Sequence, residues 1–365
     1  ILAQAASCRG AVERVDAMVA RHGADTLQAA IEALHDQSAR QMAEALATLP
    51  QGTFKGEDFL DDDGITDEPL RVQARVEIKG DSVIVDYEGT CDQVLTNVNC
   101  PYASTVAAGL SCVKAVLTSP DIPFNEGSKR AIEVRAPYGS LLNPRRPAPV
   151  RARMLSAYRA YNAVMKALAP SAPDKVIAAG FDSTEIIVLS QLKQDGYAIY
   201  LEIMGGGFGA SDHGDGCDAV DSPLSNCSNV PVEAMDMEYD YFRVEDYSLV
   251  QDSGGAGRYR GGLGFQRRYH ILGDGVTFAT YSDRFRLAPQ GLFGGADGVC
   301  ASTQVLRGDE VIQLASKTSF ALNKGDILVI RTGGGAGYGA RSERAPGDVE
   351  RDLREGFVSR AEAAE

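Results

Sequence analysis

The residues best suited to chemistry lie in a glycine-rich segment between Gln251 and Gly264. Within it, five small residues separate Asp252 from Arg258, and Tyr259 separates Arg258 from Arg260. A guanidinium beside a small-residue loop can bind a carboxylate or a phosphate through paired hydrogen bonds. The alternative is that Asp252 pairs with one of the arginines and locks the turn. We take Asp252, Arg258 and Arg260 as candidate catalytic residues.

A second charged pair follows a predicted strand, Val276–Tyr281, in the sequence Tyr281-Ser-Asp-Arg284. Side chains at the end of a strand can line a site, and Asp283 and Arg284 are therefore also candidate catalytic residues. The alternative for this pair is an internal ion pair.

The loop Gly205-Gly-Gly-Phe-Gly209-Ala210 follows another predicted strand. Its spacing matches a relaxed dinucleotide fingerprint, but that motif requires a helix immediately afterwards to direct its N-terminus at phosphate. The residues that follow, 211–217, are rich in helix breakers, which excludes the nucleotide interpretation. Two alternatives remain, a plain crossing of the chain or a loop whose backbone N–H groups bind an anion. Gly205, Gly206 and Gly207 are accordingly candidate substrate-binding residues.

No metal site is predicted in this sequence. His213, Asp215 and Cys217 lie close together, but a metal needs three or four convergent ligands in a rigid setting. The four histidines and seven cysteines are otherwise scattered, without Cys-x-x-Cys or His-Glu-x-x-His. Residues 57–68 carry seven carboxylates but fail the calcium-loop pattern, so they are predicted to form a solvated acidic turn.

Composition narrows the class of protein. The 365 residues carry a net charge of −14, which disfavours nucleic acid and anionic membranes as partners. No apolar run is long enough for a membrane helix. Scattered cysteines favour a reduced, cytoplasmic protein. The chain begins with Ile1, which we interpret as a missing natural start.

The patterning predicts a mixed α/β (α+β) fold in which a glycine-rich, β-dominated half follows a helical segment and a central α/β part. Apolar spacing of three and four predicts helices in residues 10–49, 102–117 and 154–168. Alternation predicts a hairpin in residues 70–90 and two strands within residues 184–204, joined around Asp195-Gly196. We expect four regions: a helical segment 1–56 that continues a missing N-terminal domain, an α/β region 57–204, a glycine-rich β-rich region 205–340 and a helical tail 341–365.

The glycine segments together resemble one family, the hydantoinase B/5-oxoprolinase group, which includes N-methylhydantoinase B and the acetone carboxylase alpha subunit. The resemblance rests on an ordered set of segments that spans nearly the whole chain. These are Leu49-Pro-Gln-Gly52, Asp61-Asp-Asp-Gly64, Asp121-Ile-Pro-Phe-Asn-Glu-Gly127, Gly139-Ser-Leu-Leu-Asn-Pro144, Gly205-Gly-Gly-Phe-Gly209, Asn229-Val-Pro-Val-Glu233, Asp252-Ser-Gly-Gly-Ala-Gly-Arg-Tyr-Arg-Gly-Gly262, Ser282-Asp-Arg284 and Gly333-Gly-Gly-Ala-Gly-Tyr-Gly339.

The resemblance implies a subunit of an enzyme that couples ATP cleavage to attack on a poorly reactive carbonyl. A hydantoinase A-like partner would bind ATP and phosphorylate a small-molecule substrate, and the B-type subunit would complete hydrolysis of a cyclic amide. Family members extend further at the N-terminus, where they are thought to bind a divalent metal. The alternatives are an acetone carboxylase alpha-like subunit and a non-catalytic scaffold or docking region.

Overall fold

A computed structural model describes residues 1–194, 196–220, 223–225, 227 and 230–364. The helices are α1 (Leu2–His22), α2 (Ala24–Ala47), α3 (Tyr102–Leu117), α4 (Glu126–Lys129), α5 (Arg153–Leu168), α6 (Val232–Glu238), α7 (Pro346–Glu355) and α8 (Arg360–Ala364). The strands are β1 (Gly52–Leu60), β2 (Leu70–Lys79), β3 (Ser82–Asp86), β4 (Ile132–Arg135), β5 (Glu185–Lys193), β6 (Gly196–Met204), β7 (Phe242–Leu249), β8 (Phe265–Ile271), β9 (Val276–Tyr281), β10 (Ser302–Arg307), β11 (Glu310–Leu314), β12 (Lys317–Leu322) and β13 (Ile327–Arg331). The predicted mixed α/β class is confirmed. Asp195 of the predicted turn and Asn229 of a family-like segment lie outside the described residues.

The chain begins with two helices separated at Gly23, which adopts a φ of 83° that an L side chain rarely tolerates. The helices predicted within residues 10–49 are therefore confirmed. Only some of the residues whose spacing predicted them are buried. Ser38 and Met42 of α2 are buried, whereas Leu34, one turn earlier, is 54% exposed. The helix pair α1 and α2 thus contacts the rest of the protein through the second half of α2.

The first sheet has the order β1-β2-β3-β4, and α3 and α5 pack on it. Its edge strand β1 runs through the region predicted as a helical segment and acidic turn, and crosses the predicted boundary at residue 56. Along β1 the inward face carries Gly56, Asp58 and Leu60. A side chain at Gly56 would lie 2.2 Å from the Ala163 carbonyl oxygen of α5, so the glycine allows helix and strand to pack backbone to backbone.

The second half of the chain forms two antiparallel sheets that enclose a common apolar core. Their orders are β11-β10-β13-β8-β7 and β12-β9-β5-β6. Inward residues such as Leu189, Phe278, Tyr269 and Ile330 fill the space between the sheets. The alternating burial along β8 and β9 is the pattern expected for strands with one solvent-facing side.

The glycine loops pack against one another beside these sheets, in what we call the glycine stack: residues 205–209, 261–264 and 333–337. A Cβ atom at Gly207 would lie 1.9 Å from the carbonyl oxygen of Gly262 and 2.3 Å from the amide nitrogen of Gly335. The Gly335 N–H donates to the Gly262 carbonyl at 2.8 Å. The segments approach so closely because none carries a side chain at the contact.

Candidate functional site

Two of the predicted site residues, Asp283 and Arg284, lie in a buried cluster of charges. This cluster joins the first sheet to the two antiparallel sheets of the second half of the chain. We call it the charge network, and its members are Asp58, Asp61, Arg159, Asp283 and Arg284. Each of them is at most 2% exposed. The structure therefore contradicts the prediction of a solvated acidic turn over residues 57–68, because Asp58 and Asp61 are paired with groups brought from α5 and from the segment after β9.

Asp58 is the centre of the charge network. Its Oδ2 atom accepts hydrogen bonds from Arg284 Nη2 at 2.8 Å and from Arg159 Nη1 at 3.1 Å. The same oxygen accepts from Asn162 Nδ2 at 3.1 Å, and Lys166 Nζ lies 3.1 Å from Oδ1. One carboxylate on β1 thus connects α5 to the chain that leaves β9.

Asp61 and Asp283 connect the two family-like segments directly. The Asp61 N–H donates to Asp283 Oδ1 at 2.9 Å. In return, the Asp61 carboxylate accepts from the N–H groups of Phe285, Arg286 and Leu287 at 2.6 to 3.0 Å. These contacts fix the turn in which Arg284 adopts a φ of 66°, a conformation that costs a non-glycine residue free energy.

The surrounding charges decide the protonation of these carboxyl groups. Burial alone would raise the pKa of Asp58, but the positive charges of Arg284, Lys166 and Arg159 outweigh it and place that pKa well below its usual value. Asp61 differs, because burial and the nearby charge of Asp283 raise its pKa despite the backbone N–H groups that oppose the shift. Asp58 is therefore an anion at neutral pH, and Asp61 gains a proton more easily than Asp58 does.

The charge network reaches a solvent-facing cavity of about 430 Å³ through one side chain, Lys317. Its Nζ atom lies 3.1 Å from Asp62 Oδ1 and 3.7 Å from Asp283 Oδ1. Asp63 and Tyr281 also line this cavity. We call it the Lys317 cavity, and it is the place where a ligand could contact the environment of Asp283.

The other predicted residues lie elsewhere, on the glycine-rich segment. Arg258 donates to the side chain of Asp212, and Arg260 donates through Nη1 to Asp218 Oδ1 at 3.1 Å. Asp252 forms no ion pair with either arginine. Its Oδ1 atom instead accepts a hydrogen bond from the Ser359 N–H at 2.7 Å. The turn is thus locked by partners from the 211–218 loop and from the C-terminal tail, and not by the internal pair that we considered.

The glycines proposed as an anion cradle belong to the glycine stack. The N–H of Gly206 donates to the Val220 carbonyl at 3.1 Å and that of Gly207 donates to the Gly333 carbonyl at 2.9 Å. These two donors are therefore occupied within the protein, and packing is the role that the structure gives them. Gly205 comes directly after β6, as the sequence predicts.

The carboxylates of Asp58 and Asp215 are already committed to cationic partners, so they do not fit a divalent metal. Asp58 is surrounded by cations, and both oxygens of Asp215 accept hydrogen bonds from Arg344, at 2.7 and 2.9 Å. Among the described residues, no group of three His, Cys, Asp or Glu side chains converges as metal ligands. Of the helices that the structure describes, none is long and apolar enough to cross a membrane.

Sequence reasoning missed Asp58, Arg159 and Asn162 as partners of Asp283 and Arg284. The available signal was an inward carboxylate on β1, Asp58 between Gly56 and Leu60, together with Arg159 and Asn162 one turn apart on α5. Buried charges in such positions require partners, and a search for partners would have linked the two segments.

Comparison with known proteins places this architecture in a family. The chain matches the family model described as Hydantoinase B/oxoprolinase over residues 1–341. It is 34% identical over 375 residues to the B subunit of a putative D-/L-hydantoinase from Pseudomonas sp. (strain NS671), an alignment that covers 99% of this chain and 63% of that relative. The chain therefore belongs to the hydantoinase B/oxoprolinase family, and the resemblance stated above is confirmed.

Two further similarities define how far the likeness extends. The chain is 27% identical to 5-oxoprolinase 1 of Arabidopsis thaliana over 93% of its own length and 27% of that protein. The crystal structure of the ATP-dependent caprolactamase from Pseudomonas jessenii superimposes with a TM-score of 0.87 and 25% identity, covering 99% of this chain and 64% of that one. Acetone carboxylase shares the fold, with a TM-score of 0.83 and 19% identity. The chain thus spans less than two thirds of the length of these relatives.

Proposed function

We propose that this chain is the B-type subunit of an ATP-dependent cyclic amidase. The observation that carries the proposal is the similarity, along almost the whole chain, to the B subunit of a putative hydantoinase and to a caprolactamase. Hydantoin and caprolactam share one reactive feature, an amide bond inside a ring. The substrate of this protein would accordingly be a cyclic amide.

The chemical difficulty in this reaction is the weak electrophilicity of an amide carbon. Transfer of the γ-phosphoryl group of ATP to the amide oxygen, with release of ADP, activates that carbon. Water then adds, the ring C–N bond breaks to release the amine, and a second water removes the phosphate from the resulting acyl phosphate to leave a carboxylate. We propose that a hydantoinase A-like partner binds ATP for the first step, since the caprolactamase of similar fold is ATP-dependent.

Within this chain we assign the Lys317 cavity to the substrate. The ammonium group of Lys317 would lie beside negative charge that develops on the substrate oxygen, which is a recognised form of transition-state stabilisation. Asp283 and Arg284 would act as positioning residues, because Asp283 Oδ1 lies 3.7 Å from Lys317 Nζ and Arg284, in the neighbouring turn, binds Asp58. Asp252, Arg258 and Arg260 lie outside this assignment.

The experiment uses the intact protein, co-expressed with an A-type subunit, and measures ADP release and ring opening with hydantoin, 5-oxoproline and caprolactam. We expect ADP release that depends on one of these rings, and a loss of turnover of about 100-fold or more in Lys317→Gln. Arg71→Gln, which breaks an exposed pair with Glu57 on the same half of the molecule, is the matched control and should turn over normally.

Three results would contradict parts of this proposal. ATP use that depends on a ketone and bicarbonate, with none of the rings hydrolysed, would replace the amidase by a carboxylase. Normal turnover in Lys317→Gln would remove the cavity assignment while leaving the amidase. Unchanged turnover and assembly in Lys317→Gln, Asp283→Ala and Arg258→Ala together would favour a scaffold or docking role for this chain.

A further inference from the structure

A second cavity, of about 460 Å³, lies between the glycine-rich segment and the C-terminal tail. One wall consists of residues 254–260, and the opposite wall consists of residues 341–363. We call it the tail cavity. The family match ends at residue 341, so most of the second wall lies beyond the part of the chain that the family model describes.

The lining of the tail cavity combines an apolar surface with charges of both signs. Ala256, Val349 and Val358 supply the apolar part. The charged residues of the lining are three guanidinium groups and two carboxylates: Arg260, Arg341, Arg344, Asp352 and Glu362. A cavity of this size with a few convergent polar groups is the usual form of a small-molecule site.

The internal pairing of these charges is incomplete. Arg344 is fully engaged, with Asp215 and with Asp352 Oδ2 at 2.6 Å. Arg260 and Asp352, however, each retain one buried polar atom without a hydrogen-bond partner among the described residues, Nε of Arg260 and Oδ1 of Asp352. Their nearest opposite charges are too far away for a hydrogen bond, since Arg260 Nε lies 3.8 Å from Asp352 Oδ2 and Asp352 Oδ1 lies 3.7 Å from Arg351 Nη2. A buried donor and a buried acceptor held only in such long ion pairs cost free energy until a ligand or a rearrangement satisfies them.

The outer pair at the cavity is weaker and exchangeable. Arg341 Nη1 lies 3.2 Å from Glu362 Oε1, Arg341 Nη2 donates to the Glu362 carbonyl, and both side chains are more than one third exposed. A solvent-exposed pair of this kind contributes about 0 to 1 kcal/mol. A ligand with its own carboxylate and ammonium can therefore replace this pair at little cost, with the carboxylate on Arg341 and the ammonium on Glu362 or Asp352.

We propose that the tail cavity binds a small amino acid in its zwitterionic form, with its apolar body against Val349 and Val358. Three cations and two anions in one lining match a ligand that carries both signs better than a simple anion or a neutral ring. The inference rests on the lining of this cavity alone. Amino acids are also the ring-opened products of lactams, so the proposed ligand is of the class that the proposed reaction would release.

The test is isothermal titration of the full chain with four probes of similar apolar length: 6-aminohexanoate, hexanoate, hexylamine and caprolactam. We expect saturable binding of 6-aminohexanoate and at least about tenfold weaker binding of the other three, because each lacks one or both of the charge-assisted contacts. Equal binding of hexanoate would replace the zwitterion by a simple anion, and stronger binding of caprolactam would replace it by a neutral ring. Either result overturns the proposal, as does the absence of binding by all four at millimolar concentration.

Two variants locate the site. Arg341→Gln should weaken 6-aminohexanoate binding about tenfold, and Val358→Phe, which fills the cavity without changing a charge, should abolish it. Arg71→Gln and Val311→Phe make the same changes at exposed positions of other elements and should bind normally. Thermal unfolding of all four variants separates a lost site from a lost fold. Unchanged binding in stable Arg341→Gln and Val358→Phe variants would place the ligand elsewhere. Since titration needs neither ATP nor a partner subunit, its failure leaves the proposed amidase reaction untouched.

Discussion

Glu185 offers the sharpest test of the electrostatics in this fold. It is the first residue of β5, directly opposite Met204 in β6, and it faces the interior between two sheets. The side chain is fully buried, and neither carboxylate oxygen has a hydrogen-bond partner among the described residues. Burial without a compensating cation raises the pKa of Glu185 to about 8.

The consequence for stability follows from the difference between the folded and unfolded pKa. Glu185 has a pKa of about 8 in the folded state and 4.5 in the unfolded state, so its ionisation stabilises the unfolded state relative to the folded state. The stability that the neutral carboxyl contributes is fully present below pH 4.5 and is lost as the pH rises towards 8. At about 1.4 kcal/mol per pH unit, the loss is on the order of 3 kcal/mol by pH 7.

Replacement by glutamine removes this dependence while it preserves the shape of the neutral carboxyl group. We expect Glu185→Gln and the unaltered protein to have similar free energies of unfolding in urea at pH 5. At pH 8 the variant should be more stable by several kcal/mol, on the order of the ionisation penalty. Glu44→Gln, at an exposed position of α2, is the control and should shift stability by less than about 0.5 kcal/mol at either pH. A Glu185→Gln effect of the same size at pH 5 and pH 8 would refute the assignment of a raised pKa.

Four further predictions follow from the packing and the buried charges. Asp58→Asn should destabilise the protein by about 3 to 5 kcal/mol in urea unfolding, because the buried cations lose their counter-charge. The control, Glu57→Gln, should change the free energy of unfolding by less than about 1 kcal/mol. Equal effects of the two substitutions would contradict the role of burial. The stabilisation by Asp58 should be present above pH 4 and lost at lower pH, since its folded pKa lies below the unfolded value of 3.8. Gly207→Ala should lower the melting temperature strongly or prevent folding because its Cβ would overlap the Gly262 carbonyl, while Gly347→Ala, which has open space, should be tolerated. Cys8 and Cys217 are exposed and should react with a thiol reagent in the native protein, whereas the buried Cys112 should react only after unfolding.

Local patterns were sufficient to predict the long helices α1, α2, α3 and α5 and some of the strands. The predicted strand pair within residues 184–204 corresponds to β5 and β6, and the predicted strand Val276–Tyr281 has the bounds of β9. In each of these, alternation of apolar residues determines which face is buried, so the pattern and the packing agree. Strand β1 was missed because its inward positions are occupied by Gly56 and Asp58, which carry no apolar signal.

The candidate site was harder to predict because its contacts are long-range. Asp58 is 101 residues from Arg159 and 226 residues from Arg284 along the chain, and no periodicity within one segment reports such a pair. Asp283 and Arg284, taken as candidates because they follow a strand, lie in the charge network, and their catalytic role stays a prediction. The other candidate arginines lie elsewhere, Arg260 at the tail cavity and Arg258 against the 211–218 loop.

The charge network connects the acidic segment around Asp58 and Asp61 to α5 and to the residues after β9. A hydrophobic contact between the first sheet and the sandwich would tolerate small sliding movements, because apolar packing has little directional preference. Asp58 and Asp61 instead accept hydrogen bonds of fixed direction from α5 and from the residues after β9. A displacement of about 1 Å would lengthen several of these bonds at once and leave charges buried without partners. Asp283 Oδ1 of the network lies 3.7 Å from Lys317 Nζ, so the network also holds Lys317 in place relative to the first sheet. A cavity formed by residues from separate parts of the chain requires such fixed positions.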